Sequence, residues 1–166
     1  MNEMSVDPAA FRAAMSRFPS GVTIVTSTDA QGKPCGFTAT AFCSLSLEPP
    51  LVLVCLANSA RCYNAFCAAE SYVIHFADQS HRDLALRFAS KSVDDKFEGG
   101  GFVHGSLGHP ELDDAVVTLR CRAENVVSGG DHAILIGRVV DVTVRDDRTP
   151  LIHGDRAFGR LEPHAT

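Results

Sequence analysis

Residues 115–145 read AVVTLRCRAENVVSGGDHAILIGRVVDVTVR, and their alternation decides what kind of fold the chain makes. Val117, Leu119, Cys121 and Ala123 alternate with Thr118, Arg120, Arg122 and Glu124. Successive side chains of a strand point to opposite faces, so the run has one apolar and one polar side. A Ser-Gly-Gly turn leads into HAILIGRVVDVTVR, apolar on both faces at its start and on one, Val140, Val142 and Val144, towards its end. Two long strands joined by a glycine turn predict an antiparallel hairpin. The turn needs its glycines. It does not need the acid and imidazole that follow, Asp131 and His132.

The flanking sequence is of the same kind. GVTIVTST (21–28) reads as a strand, DAQGKP as a hairpin connection, and CGFTATAFCSLSL (35–47) as one long strand. In the last, Phe37, Ala39, Ala41, Cys43, Leu45 and Leu47 share one face, while Thr38, Thr40, Phe42, Ser44 and Ser46 place a ladder of hydroxyls on the other. Glu48-Pro49-Pro50 ends it, and LVLVCLA (51–57), SYVIHFA (71–77) and PLIHG (150–154) read as further strands. Helices are expected at three places. The first is 7–18, capped by Asp7, with Pro8 in its first turn, Phe11, Ala14, Met15 and Phe18 on one face, and an end at Gly21. The second is 58–69, capped by Asn58 or Ser59, and the third 78–90, with Ser80 and Asp83 as a capping box. Residues 91–114, with three glycines at 99–101, read as a long loop. Strands in hairpin order without strand–helix alternation predict a mainly β, antiparallel barrel or sandwich with flanking helices, in one domain.

Composition narrows the function classes. A chain of 166 residues buries roughly 70% of its unfolded surface, and 45% apolar with 21% charged residues excludes disorder. A net charge of −5 with no basic stretch argues against nucleic-acid binding. No apolar run reaches the length of a membrane span, and the acidic N-terminus lacks a signal-peptide pattern, so a cytoplasmic location is expected. Six cysteines without C-x-x-C and seven scattered histidines predict reduced thiols and no structural metal.

No G-x-G-x-x-G follows a strand, and Gly32-Lys33 precedes Pro34 rather than a hydroxyl residue, so the common nucleotide loops are absent. Three features remain. The hydroxyl ladder is either a solvent-facing strand surface or a face that bonds a polar planar ligand. NSARCYNAF (58–66) is a helix start with a surface arginine, or an anion site in which Arg61, and further on Lys96, meet a phosphate. Gly130-Asp131-His132 is a polar turn, or a fixed imidazole at the mouth of a barrel.

Taken in order, FPSGVTIVTSTDAQGKPCGFTATAFCSLSLEPPLVLVCL, NSARCYNAF, RFASKSVDDKF, SGGDHAILIGRV and PLIHGDRAFGRL resemble the flavin reductases of the FMN-binding split-barrel class, over about residues 11–161. The resemblance implies a Greek-key split barrel, a homodimer, and hydride transfer from NADH or NADPH to FMN or FAD, with the reduced flavin passed to a separate monooxygenase. It places flavin against Ala39, Thr40, Ala41, Phe42, Ser44 and Ser46, and its ribityl-phosphate side along Cys55, Leu56, Ala57, Ser59 and Arg61. Phe88, Ser90, Lys91 and Lys96 match a second flavin segment. His132 matches the nicotinamide motif, and Phe158 the C-terminal segment closing over the same site. The chain departs from the family pattern at Thr40, Ala41 and Cys62, where relatives carry hydrogen-bonding groups. A flavin-sequestering barrel and an amine-oxidising flavoprotein of the pyridoxamine-phosphate oxidase type are the alternative readings.

Overall fold

The computed structural model describes residues 5–164. The expected hairpin is its centre. Strands β9 (Val117–Gly129) and β10 (His132–Val144) pair antiparallel along their length, with irregularities between Ile136 and Gly137 and between Val139 and Asp141. Gly130 has φ +68° and Asp131 is not in that region. Positive φ at only the first of two central residues is the type II′ pattern, for which glycine is the natural occupant.

Around the hairpin lie β2 (Thr23–Thr28), β3 (Pro34–Ala39), β4 (Phe42–Ser46), β5 (Leu51–Ala57) and β6 (Ser71–Phe76). They form a seven-stranded antiparallel sheet in the order β3-β2-β6-β9-β10-β5-β4. The order is a Greek key: the chain leaves β5 for β6, and the later hairpin fills the space between them. The outer strands, β3 and β4, are consecutive in sequence and do not pair with each other. The sheet therefore curls until its edges meet end to end, and the barrel stays split where Thr40 and Ala41 carry the chain across. Ala41 is held there by its carbonyl, which accepts from the Cys55 N–H at 3.0 Å. A second sheet joins β1 (Ser20–Gly21), β11 (Ile152–Gly154) and β12 (Ala157–Gly159).

Several local expectations are corrected. Residues 35–47 are two strands, and the break reverses the face. Phe37 and Ala39 are buried, but beyond it Phe42 turns inward against Phe76, ring centroids 5.2 Å apart, while Cys43, Leu45 and Leu47 are exposed. Helix α1 (Pro8–Ser16) is capped by the Asp7 carboxylate, which accepts from Ala9 and Ala10 N–H; it ends well before Gly21 and leaves Phe11, Met15 and Phe18 exposed. Helix α2 is only Tyr63–Cys67, and Cys62 occupies its N-cap without a side-chain bond. Asn58 does not cap it. Its backbone N–H donates to Asp131 O at 2.9 Å and its side-chain amide to Gly130 O at 3.2 Å, tethering the segment to the β9–β10 turn. Asp78, not Ser80, caps the third helical segment. A 3₁₀ turn (Gln79–His81) runs into α3 (Arg82–Ala89), with Asp78 Oδ2 accepting from Ser80 N–H and His81 Nδ1 accepting from Asp78 N–H. The long loop contains a short hairpin, β7 (Phe102–His104) and β8 (Pro110–Leu112).

Two apolar clusters hold these elements. The barrel interior is filled by Val25, Phe37, Val54, Leu56, Phe66, Tyr72, Ile74, Leu119, Cys121 and Leu135. Outside it, Phe88 and Ala85 of α3 pack with Ile24, Val22, Leu112 and Leu151. All six cysteines are free thiols, and burial pushes Cys35 and Cys121 up to about 12.

His75 is tied to the second cluster through Ile24 and Leu112. It is fully buried; with its Nδ1–H donated to Ile24 O at 2.8 Å, its Nε2 accepts the Leu112 N–H at 3.1 Å. A proton on Nε2 would face a donor, and burial holds the pKa at about 4. The unfolded chain takes up this proton from about pH 6.5 downward, so folded stability is complete above that value and falls as pH drops towards 4. The linkage amounts to roughly 3 kcal/mol. Urea unfolding at pH 7 and pH 4.5 should show the loss in wild type. It should be smaller in a folded His75→Gln variant, and equal losses in both would refute the assignment.

Candidate functional site

An open cleft of about 240 Å³ lies where the barrel splits, between the ends of β3 and β5, the start of α2 and the C-terminal end of α3. Its walls come from four directions. Phe37, Ala39, Thr40 and Ala41 form one side, Cys55, Leu56 and Ala57 the next; Arg61 and Cys62 stand at one end, and Phe88, Ser90, Lys91 and Lys96 close the other side. His132 reaches the rim because Ala57 is its cross-strand partner on β5.

The lining combines small and apolar side chains with three cations, Arg61, Lys91 and Lys96, on a chain whose net charge is −5. Lys91 Nζ donates to Ser59 Oγ at 2.8 Å, Lys96 Nζ to Phe88 O at 2.8 Å, and Arg61 pairs with Asp94 at 2.9 Å. Desolvation by burial lowers the Lys96 pKa. The Arg61–Asp94 pair is exposed, so an incoming anion displaces little by replacing the carboxylate. At the rim His132 Nδ1 lies 2.7 Å from Asp131 Oδ1, and this hydrogen bond holds the Asp131 pKa below its usual value. With Nδ1–H donated to Asp131, Nε2 is left as an acceptor.

Most of the residues singled out in the sequence come together here: Ala39, Thr40, Ala41, Cys55, Leu56, Ala57, Arg61, Phe88, Ser90, Lys91, Lys96 and His132 all line the cleft, and Ser59 touches it through Lys91. Four do not. Phe42, Ser44 and Ser46 lie beyond the strand break on β4, away from the lining. Phe158 belongs to a separate groove with Pro19, Ile152 and Asp155, packing on His153 at 5.2 Å beneath Arg82 at 5.7 Å. Asn58 was not legible as a site residue, yet it ties down the turn that carries His132. An asparagine directly after an apolar strand is the signal that would have flagged it.

Comparison with known proteins gives this arrangement its class. Residues 15–162 match the flavin reductase like domain, and the chain belongs to that family. The actinorhodin polyketide dimerase of Streptomyces coelicolor is 43% identical over 95% of this chain and 89% of its own. HsaB, the reductase subunit of a flavin-dependent monooxygenase in Rhodococcus jostii, is 33% identical over 98% of this chain and 82% of its own. Among solved structures, the Streptomyces globisporus NADH:FAD oxidoreductase SgcE6, in complex with NAD and FAD fragments, superposes with a TM-score of 0.89 at 33% identity, covering 98% of this chain and 99% of the other. Two relatives from Rhizobium meliloti are longer, and the chain spans 42% and 57% of them. The cleft's lining fits a flavin: Arg61, Lys91 and Lys96 for a phosphate, and small and apolar side chains for a flat heterocycle.

Proposed function

We propose that the chain is an NADH-dependent flavin reductase whose reduced product serves a separate flavin-dependent monooxygenase. The observation that carries the reading is one cleft that brings Arg61, Lys91 and Lys96 together with His132 at its rim. Bound flavin supplies the ring that accepts hydride from reduced nicotinamide. Everything else is positioning. Arg61, Lys91 and Ser59 hold the phosphate, Lys96 braces the C-terminal end of α3, and Ala39–Ala41 with Cys55–Ala57 form the bed for the ring. His132, fixed by Asp131, accepts the nicotinamide carboxamide N–H through Nε2 and sets the second ring over the first. Holding two reactants at reacting distance accounts for a large share of such a barrier and needs no protein acid or base.

Mixing the protein with NADH and FMN or FAD is expected to give loss of NADH absorbance that requires flavin. A flavin-sequestering barrel or an amine oxidase would give none. His132→Ala should raise the Michaelis constant for NADH about tenfold, the worth of one hydrogen bond, with flavin affinity altered far less. An unchanged Michaelis constant and turnover would remove the assignment. The exposed valines of β10, Val140, Val142 and Val144, together with Phe11 and Met15 on α1 and Phe18 just beyond it, are apolar surface that a homodimer would cover. Sedimentation at twice the chain mass would support that, and a monomer at assay concentration would oppose it.

A further inference from the structure

Behind Arg61 the cleft does not end. A second cavity, about 690 Å³, shares Arg61, Cys62 and Lys96 with the first and continues past them between β3, α2 and residues 93–97. Its floor is Pro34, Cys35 and Gly36, and Ala65, Val93 and Phe97 give it apolar walls. Three carboxylates face it, but each is already engaged within the chain. Asp29 Oδ1 accepts the N–H groups of Gln31 and Lys33, Asp95 Oδ1 accepts the Phe97 N–H, and Asp94 pairs with Arg61. Lys33, Arg61 and Lys96 supply three cations to the same cavity.

A ligand reaching both cavities would have its flat, uncharged part in the first, its anionic part beside Arg61 and Lys96, and a second largely apolar part with hydroxyls beyond them. We propose that the second cavity takes the adenosine half of FAD, and that the chain therefore selects FAD over FMN. This rests on the flavin-reductase reading and goes beyond it, because neither the shared phosphate contacts nor the hydride chemistry distinguishes the two flavins. Arg61 occupies the junction and serves the pyrophosphate. The oxygens of Asp94 and Asp95 are the acceptors within reach of ribose hydroxyls, and Val93, Phe97 and Ala65 enclose the adenine.

The test is binding, read by quenching of flavin fluorescence without NADH. The wild-type chain should bind FAD at least about tenfold more tightly than FMN, and adenosine, which carries no phosphate to meet Arg61, should weaken FAD binding while leaving FMN in place. Ala65→Trp, which fills the second cavity, should bring the FAD-to-FMN affinity ratio down by about tenfold. Equal affinity of the wild type for the two flavins would overturn the proposal, as would adenosine competing equally with both or a folded Ala65→Trp variant keeping the original ratio. Should the variant not fold, the wild-type ratio and the adenosine competition decide. If the flavin-reductase reading itself were wrong, neither flavin would support NADH oxidation, an outcome that the affinity ratio does not produce.

Discussion

Removing both flexible cations from the phosphate end, as Arg61→Ala with Lys91→Ala, is expected to weaken flavin binding by about a hundredfold or more, since each charge-assisted hydrogen bond contributes about a factor of ten. Neither side chain supports the fold. Arg61 makes an exposed pair with Asp94, and Lys91 reaches only the Ser59 hydroxyl. Thermal unfolding should therefore be nearly unchanged while the flavin dissociation constant rises, and raised salt should weaken the wild type more than the double variant. Riboflavin, which lacks the phosphate, supplies the control: the double substitution should hardly change its affinity. Equal weakening of riboflavin and FMN would show that these residues act on the shape of the cleft rather than on phosphate.

Gly36→Val should have the largest effect on stability. A Cβ at this position would lie 2.7 Å from the Val25 carbonyl oxygen and 2.7 Å from the Phe88 ring, contacts that real Cβ atoms do not make. The Phe88 ring can turn, but Val25 O is backbone of the neighbouring strand and is fixed by the sheet. Overpacking of this kind costs about 1–3 kcal/mol, and displacing β3 from its neighbour adds to it. Phe88 also lines the cleft, so flavin affinity should fall with stability. A variant with wild-type unfolding and wild-type flavin binding would contradict the close packing of α3 on β3.

The parts of the fold that could be read from sequence were those written in a period of two. The β9–β10 hairpin, with Leu119 and Cys121 inward and Arg122 and Glu124 outward, is such a case. The break at Thr40–Ala41 was not legible, because threonine and alanine sit comfortably in an unbroken strand. Only closure of the barrel requires the chain to change edges there. The shortened α2 has a similar cause. Asn58 is a good cap in isolation, but its polar groups are engaged by Gly130 and Asp131, 72 and 73 positions along the chain. Asp78 with His81 made a capping box in which histidine replaces the usual acid or amide. Much of the candidate site came from resemblance to a family, and periodicity alone left its hydroxyl ladder and its turn histidine ambiguous. The resemblance also brought Phe42, Ser44, Ser46 and Phe158 into the set, and these four do not line the cleft.

Both flat rings sharing one cleft can be tested most directly by a crystal structure of the chain with flavin and NAD⁺ bound together. The flavin phosphate should lie within hydrogen-bonding distance of Arg61 and Lys91. The nicotinamide should stack on the flavin ring roughly 3–3.5 Å away, with its carboxamide at His132 Nε2. Flavin bound outside the cleft between Thr40 and Lys91, or a nicotinamide held away from the flavin ring, would contradict the account.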